Sequence, residues 1–382
     1  MKRLTLTSLG QIREADIAFG DLTVFVGEQA SGKGILLQLV KLILDAGDIT
    51  QTLKKHGFDW QKKVENFLSL YFGEGMEGIW NKDETIVTFN KMDFTPRNAL
   101  LRRKKDESLF LIPAHRVVTL KDGWPRAFTD YNIGDPYVVK QFSEKLRLLM
   151  ERGFRSGEGM IFPQAGRMNK TMRDAIGESV FGKGEVKIDR SGLRKRIVLD
   201  IAGSQLPFMA WSTGQREFTP LLLGLYWLMP SGKTDKKNEI NWVVIEEPEM
   251  GLHPKAISSM LTVFLELMRR GYKVIISTHS AQILELVWSI QFLIKAHADP
   301  KELLKVLELK SNYFSKPLVE TVFKKTFKTY YFSRQDEAVN VKDISTLDAE
   351  DPDEAVSDFG GLTAFSTKAA EVVSSAIWRS DL

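Results

Sequence analysis

The chain has 382 residues, 43% of them hydrophobic and 27% charged, with a formal net charge of +4. That balance fits a globular chain able to bury a large core, and no apolar run reaches the ~18 residues that a membrane-spanning helix needs. With no cysteine, disulfides, thiolate metal sites and cysteine nucleophiles are excluded.

The segment Met1–Asp16 has no long apolar stretch, so no secretory leader is expected and the cytoplasm is the default location. Residues 1–26 alternate apolar and polar positions, as a lead-in of two or three β-strands would. The last of these, Leu22–Val26, is apolar and β-branched and predicts a buried strand. Gly27-Glu-Gln-Ala-Ser-Gly-Lys33-Gly34 follows, and then an apolar helix over Ile35–Leu44. Strand, glycine-rich turn and helix make a phosphate-binding loop, in which backbone N–H groups and the helix N-terminus converge on an anion and Lys33 adds a cation. The loop has one defect. Gly34 stands where Ser or Thr normally supplies a hydroxyl toward the Mg²⁺ that bridges two phosphates. Ser31 lies on the other side of Lys33 and could compensate only in a distorted loop.

Residues 47–80 carry helical patterning. Thr85–Phe89 and Ser108–Ile112 read as strands, the second ending at Pro113-Ala114-His115-Arg116. Residues 117–184 are glycine-rich and mixed, and predict a mostly helical lobe inserted into the core, so the expected division is a head of 1–116 and 185–382 with a lobe of 117–184. Residues 151–196 hold 11 Lys/Arg against 6 Asp/Glu, which suits either a solvated surface or a nucleic-acid contact. Two strands are expected next, Glu185–Asp189 and Arg194–Ile201, joined at Ser191-Gly192.

Trp211-Ser-Thr-Gly-Gln215 opens a helix expected over Thr213–Leu228. By itself, Ser-x-Gly-Gln reads as a helix cap with some anion affinity. Trp242–Ile245 predicts a buried strand ending in two carboxylates, Glu246 and Glu247. At such a strand end in nucleotide hydrolases the first carboxylate reaches Mg²⁺, usually through water, and the second polarises the attacking water. A helix over Lys255–Arg270 closes at Gly271, and strand Tyr272–Ser277 leads into Thr278-His279-Ser280, where His279 could contact a γ-phosphate. Lys328–Phe332 and Ala338–Val341 are further strands. The βαβ rhythm predicts an α/β fold with a mainly parallel central sheet covered by helices on both faces. Residues 348–358 hold six acids and no base.

Taken in this order, Gly27–Lys33, Ser212–Gln215, Glu246-Glu247-Pro248-Glu249, Gly251-Leu252-His253-Pro254 and Ser277-Thr278-His279-Ser280 resemble the motifs of ABC-type ATPases of the SMC and OLD-like group, also described as AAA-family proteins. The resemblance covers roughly residues 1–45 and 185–290. It implies a P-loop head with N-terminal antiparallel strands, binding ATP and Mg²⁺ and pairing as a homodimer or higher oligomer that sandwiches two nucleotides. Gly27, Ala30, Ser31, Gly32, Lys33, Gly34 and Ile35 would surround the phosphates. Ser212, Gly214 and Gln215 would reach the γ-phosphate of the ATP held by the partner. Glu247 would be the general base, Glu246 the metal-side acid and His279 the γ-phosphate contact, with 249–254 at the dimer interface. A loop glutamine is also expected before the signature, and Gln141 is a candidate.

Gly-Leu-His-Pro after the catalytic acid, where transporter subunits read Ala-Leu-Asp, favours the SMC/OLD side. No heptads run through 117–184, so a compact head without a long coiled coil is expected. No acidic cluster resembles the OLD nuclease domain, so an effector would be a separate chain. The expected function is an ATPase that regulates such an effector, with nucleic acid as a candidate partner, in DNA repair or antiphage defence. The alternative is a weakly hydrolysing, nucleotide-bound scaffold, which Gly34 favours. A small-molecule kinase is disfavoured, since it has no use for Ser212–Gln215.

Overall fold

The computed structural model describes all residues except 104–105, 155–158, 191–193, 231–235, 238 and 380–382. Ser191 and Gly192, expected to join two strands, and Arg155 of the basic stretch therefore lie outside the described residues.

The strands are β1 (Arg3–Leu9), β2 (Ile12–Ala18), β3 (Leu22–Gly27), β4 (Ile86–Phe89), β5 (Met92–Asp93), β6 (Leu109–Ile112), β7 (Leu120–Lys121), β8 (Trp124–Pro125), β9 (Met160–Phe162), β10 (Glu185–Asp189), β11 (Arg196–Ile201), β12 (Ser204–Pro207), β13 (Trp242–Glu246), β14 (Lys273–Thr278), β15 (Phe327–Gln335) and β16 (Ala338–Asp343). One large sheet runs β5-β4-β1-β2-β16-β15-β3-β14-β13-β6. From β15 to β6 every neighbouring pair is parallel. The N-terminal strands β1, β2, β4 and β5 pair antiparallel at the other side of the sheet. The expected α/β fold with a mainly parallel central sheet is therefore present.

Strand alternation explains how the sheet is covered on both faces. Val24, Val26, Phe110, Ile112, Val243, Ile245, Val274 and Ile276 enter one hydrophobic cluster. Phe25, Leu109, Leu111, Trp242, Val244 and Ile275, one residue out of phase with them, enter a second. A period of 2 sends neighbours to opposite faces, and strands buried on both faces read as continuous apolar runs. Helix Lys33–Lys55 covers the second face, and helices Thr213–Leu228 and Pro254–Arg269 the first.

Within 117–184 lie helices Tyr137–Arg152 and Lys170–Ser179 with short strands β7, β8 and β9. Their apolar residues join the clusters of the head: Phe142, Leu146 and Ile176 on one face, Tyr137 and Val138 on the other. Strand β9 extends a four-stranded antiparallel sheet, β12-β11-β10-β9. Among the described residues no helix is long and apolar enough to cross a membrane.

Candidate functional site

The parallel strands end together, and the motifs sit at that end. Strand β3 leads through Gly27 into the loop 28–32 and then into helix Lys33–Lys55. Gly27 has φ 146°, and a Cβ there would lie 2.6 Å from the carbonyl oxygen of Phe332. Only glycine lets β15 pass this close where the chain turns out of β3. Lys33 is 6% exposed. Its Nζ donates to the carbonyls of Gly27 (2.8 Å) and Glu28 (2.7 Å) and to Ser31 Oγ (3.1 Å). Burial pulls its pKa down to about 8, against the opposing pull of Glu247, Glu249 and Glu28. From outside, Arg334 donates to the carbonyl of Ala30 at 2.6 Å, and Gln11 donates to the same oxygen. These two clamps were not legible as site residues.

Strand β13 carries Glu246 and Glu247 to the same end. Glu246 is 8% exposed. Its Oε2 accepts from the Ala114 N–H at 3.0 Å, while Oε1 is buried with no hydrogen-bond partner. Burial pushes its pKa up to about 7. Glu247 has φ 42°, and its N–H donates to the Ser277 carbonyl at 2.9 Å. Its carboxylate Oε1 lies 3.6 Å from His279 Nε2, and the imidazole holds the Glu247 carboxyl below the usual carboxylate range. Glu249 fixes the strand end that presents His279: its Oε1 accepts from Thr278 Oγ1 (2.8 Å) and from the His279 N–H (2.6 Å).

Lys33, Glu246, Glu247 and His279 line one cleft of 690 Å³. Ala30, Ser31, Gly32, Gly34 and Ile35 line it together with them. The rest of the lining includes Gln29 of the phosphate loop and Gln11, Gln38, Met76, Ile79 and His115, the last five of which the sequence motifs did not indicate. A Cβ built on Gly34 would stand 3.5 Å from Glu246 Oε1. The missing hydroxyl and the longer acid therefore face each other across ordinary van der Waals contact. A buried carboxylate oxygen without a partner, beside a lysine and a helix N-terminus, fits a divalent cation carried by a polyphosphate.

The structure does not bring Ser212, Gly214 or Gln215 to this cleft. Ser212 caps helix Thr213–Leu228: its Oγ accepts from the Gln215 N–H (3.3 Å), and Gln215 Oε1 accepts from the Ser212 N–H (3.1 Å). This is a reciprocal capping box. Gly214 packs against Gly251, so closely that a Cβ would lie 2.6 Å from the Gly251 carbonyl oxygen. The 249–254 segment is thus pressed to the start of the signature helix. Gln141 is corrected as the loop glutamine. It lies in helix Tyr137–Arg152, buried, with Nε2 3.4 Å from Asp48 Oδ2 and away from the cleft.

The basic stretch 151–196 is not one face. Arg167 is buried and donates to the carbonyls of Tyr226 and Met229, and Lys187 pairs with Glu185 and Asp200. Among the described basic residues of that stretch, Arg194, Lys195 and Arg196 line a separate groove of 850 Å³, with Lys121, Arg126 and Trp124 and with the acids Asp122, Asp130 and Glu151.

Residues 178–285 match the family model described as "AAA domain, putative AbiEii toxin, Type IV TA system". They hold the signature helix, the two glutamates and His279. Over these residues the chain is similar to ABC-type ATPase heads of the SMC and OLD-like group, as the order of its motifs implies. It is 31% identical over 108 residues to the Old nuclease of Escherichia phage P2, a match spanning 28% of this chain and 17% of that nuclease. Among solved structures, an Smc head bound to the C-terminal winged-helix domain of ScpA overlaps with TM-score 0.42 and 12% identity, over 90% of this chain and 96% of that one. The SMC head domain from Thermotoga maritima overlaps with TM-score 0.36 and 13% identity, over 90% and 98%.

Proposed function

We propose that this head binds Mg-ATP in the 690 Å³ cleft, hydrolyses it, and pairs with a second copy so that closure regulates a separate effector. The observation that carries the reading is that Lys33 lines one cleft together with Glu247 and His279, whose Oε1 and Nε2 stand 3.6 Å apart. Lys33 and the backbone of 27–32 bind the β- and γ-phosphates. Glu247, kept ionised beside His279, accepts a proton from the attacking water, and His279 faces the γ-phosphate. Mg²⁺ would be held by Glu246 and the phosphates, and when bound it supplies charge neutralisation on the transferring phosphoryl group. Glu246 Oε1 takes the place of the hydroxyl that Gly34 lacks. Ser212, Gly214 and Gln215, which stand outside their own cleft, act on the nucleotide of the second copy.

The Old nuclease of phage P2 and the toxin description of the matching family support a role in conflict between phage and host. In that setting the groove of Lys121, Arg126, Arg194 and Lys195 is the candidate contact for nucleic-acid phosphates. Phosphate release tests the reading. A rate per head that rises with protein concentration and vanishes in Glu247→Gln is expected, and a concentration-independent rate contradicts pairing. Gly34 favours one second reading, a scaffold that binds ATP and barely turns it over. Tight ATP binding with no phosphate release at any protein concentration would select it.

A further inference from the structure

Arg116 is fully buried, 0% exposed, and belongs to none of the motifs. It opens the short 3-10 turn Arg116–Thr119 after the loop that follows β6. Its guanidinium joins three backbone carbonyls from two other elements. Nη1 donates to Glu246 O (3.0 Å) and Nη2 to Glu247 O (3.0 Å), at the end of β13. Nε donates to Glu217 O (3.1 Å), in helix Thr213–Leu228. The Glu217 carboxylate stands 4.0 Å from Nε.

Taking a guanidinium out of water is costly, and its planar fork is what lets one side chain hold several acceptors in fixed relation. Here the fork grips the carbonyl of Glu247, whose backbone is in the left-handed region. That conformation aims the Glu247 carboxylate at His279. The same side chain grips the helix that presents Ser212–Gln215. The next residue back, His115, lines the cleft, and Ala114 donates to Glu246 Oε2. One short segment therefore touches the cleft, both glutamates and the signature helix.

We infer that Arg116 is a positioning residue that couples the signature helix to the general base: movement of the helix on meeting the second copy's nucleotide is passed through the guanidinium to the backbone of Glu247. The inference rests on the ATPase reading above. Arg116 touches neither the phosphate loop nor Lys33, so nucleotide binding and catalytic alignment are separable at this position.

The test compares wild type with Arg116→Lys, which keeps the charge but not the fork, and Arg116→Gln. Three quantities are read: affinity for ATPγS, kcat at saturating ATP, and the change in hydrogen exchange in the first turns of helix Thr213–Leu228 when ATPγS is added. The expected result is ATPγS affinity within about threefold of wild type, kcat lower on the order of 100-fold, as a misplaced catalytic group gives, and loss of the exchange response. Retention of kcat and of the response in either folded variant overturns the inference. Affinity and kcat falling by the same factor, or loss of cooperative unfolding in both variants, makes Arg116 a structural residue only and also overturns it. A wild type that binds no ATPγS refutes the ATPase reading instead. A wild type that binds without turnover leaves the exchange response to decide.

Discussion

Gly34 and Glu246 are argued to be one exchanged pair, and a small cycle of variants tests this. A Cβ at position 34 would lie 3.5 Å from Glu246 Oε1, so serine fits without displacing anything. Its hydroxyl would meet an oxygen that now has no partner. Replacing a first-turn glycine and adding one hydrogen bond should stabilise the fold by about 1 kcal/mol. On the proposed reading Glu246 Oε1 holds the cation, so Gly34→Ser should leave the Mg²⁺ concentration needed for tight ATP binding within about twofold. Glu246→Asp withdraws the carboxylate by roughly one C–C bond, about 1.5 Å. Mg²⁺ holds its oxygens near 2.1 Å with little tolerance, so that variant should need about tenfold more Mg²⁺ or worse. Adding Gly34→Ser to Glu246→Asp should recover most of the loss, a coupling of about 1.4 kcal/mol. The assay is binding of a fluorescent ATP analogue titrated with Mg²⁺, which needs no turnover. A tenfold gain from Gly34→Ser alone, or no loss from Glu246→Asp, would refute the exchange.

Three further outcomes follow from the same geometry. Glu246 keeps its proton up to about pH 7, well above its ordinary 4.5, because of burial; the unfolded chain loses that proton first, so metal-free stability should fall from pH 4.5 to 7 and then level. Glu246→Gln should remove this slope and be more stable at pH 8 by roughly 3 kcal/mol in urea with EDTA, and a parallel pH profile for both proteins would contradict the assignment. Lys33→Met should abolish detectable ATPγS binding, a loss of about 100-fold or more, with an unchanged circular dichroism spectrum. Gly214→Ala sets a methyl 2.6 Å from the Gly251 carbonyl oxygen, and should cost about 1–3 kcal/mol of stability; an unshifted melting temperature would show that the two segments are not in firm contact.

Much of this head could be read from the chain because its site is built at strand ends. Buried parallel strands announce themselves as apolar runs, so β3, β6, β13 and β14 were legible, and the phosphate loop, the two glutamates and His279 lay directly after β3, β13 and β14. Helix Thr213–Leu228 was legible to the residue because Ser212 and Gln215 cap it reciprocally. Helix Lys33–Lys55 runs past the expected Leu44 because it continues through a non-helical residue at Asp45, whose carboxylate is held by Lys41 and by the Ser108 N–H. A long-range partner such as Ser108 leaves no local pattern. The same is true of Arg116, Arg334 and Gln11, which act on the site through backbone carbonyls of residues far away in sequence. The basic stretch was only partly legible, because charge count ignores burial and ion pairing, and Arg167 and Lys187 are engaged internally.

On the proposed reading, two copies of this chain close on ATP. The most direct measurement is the solution mass of Glu247→Gln by light scattering, with and without Mg-ATP. The account predicts a shift from one chain of 43.4 kDa to twice that mass on adding Mg-ATP, reversed by Gly214→Ala at the signature helix. A variant that binds Mg-ATP yet keeps the mass of a single chain would contradict it.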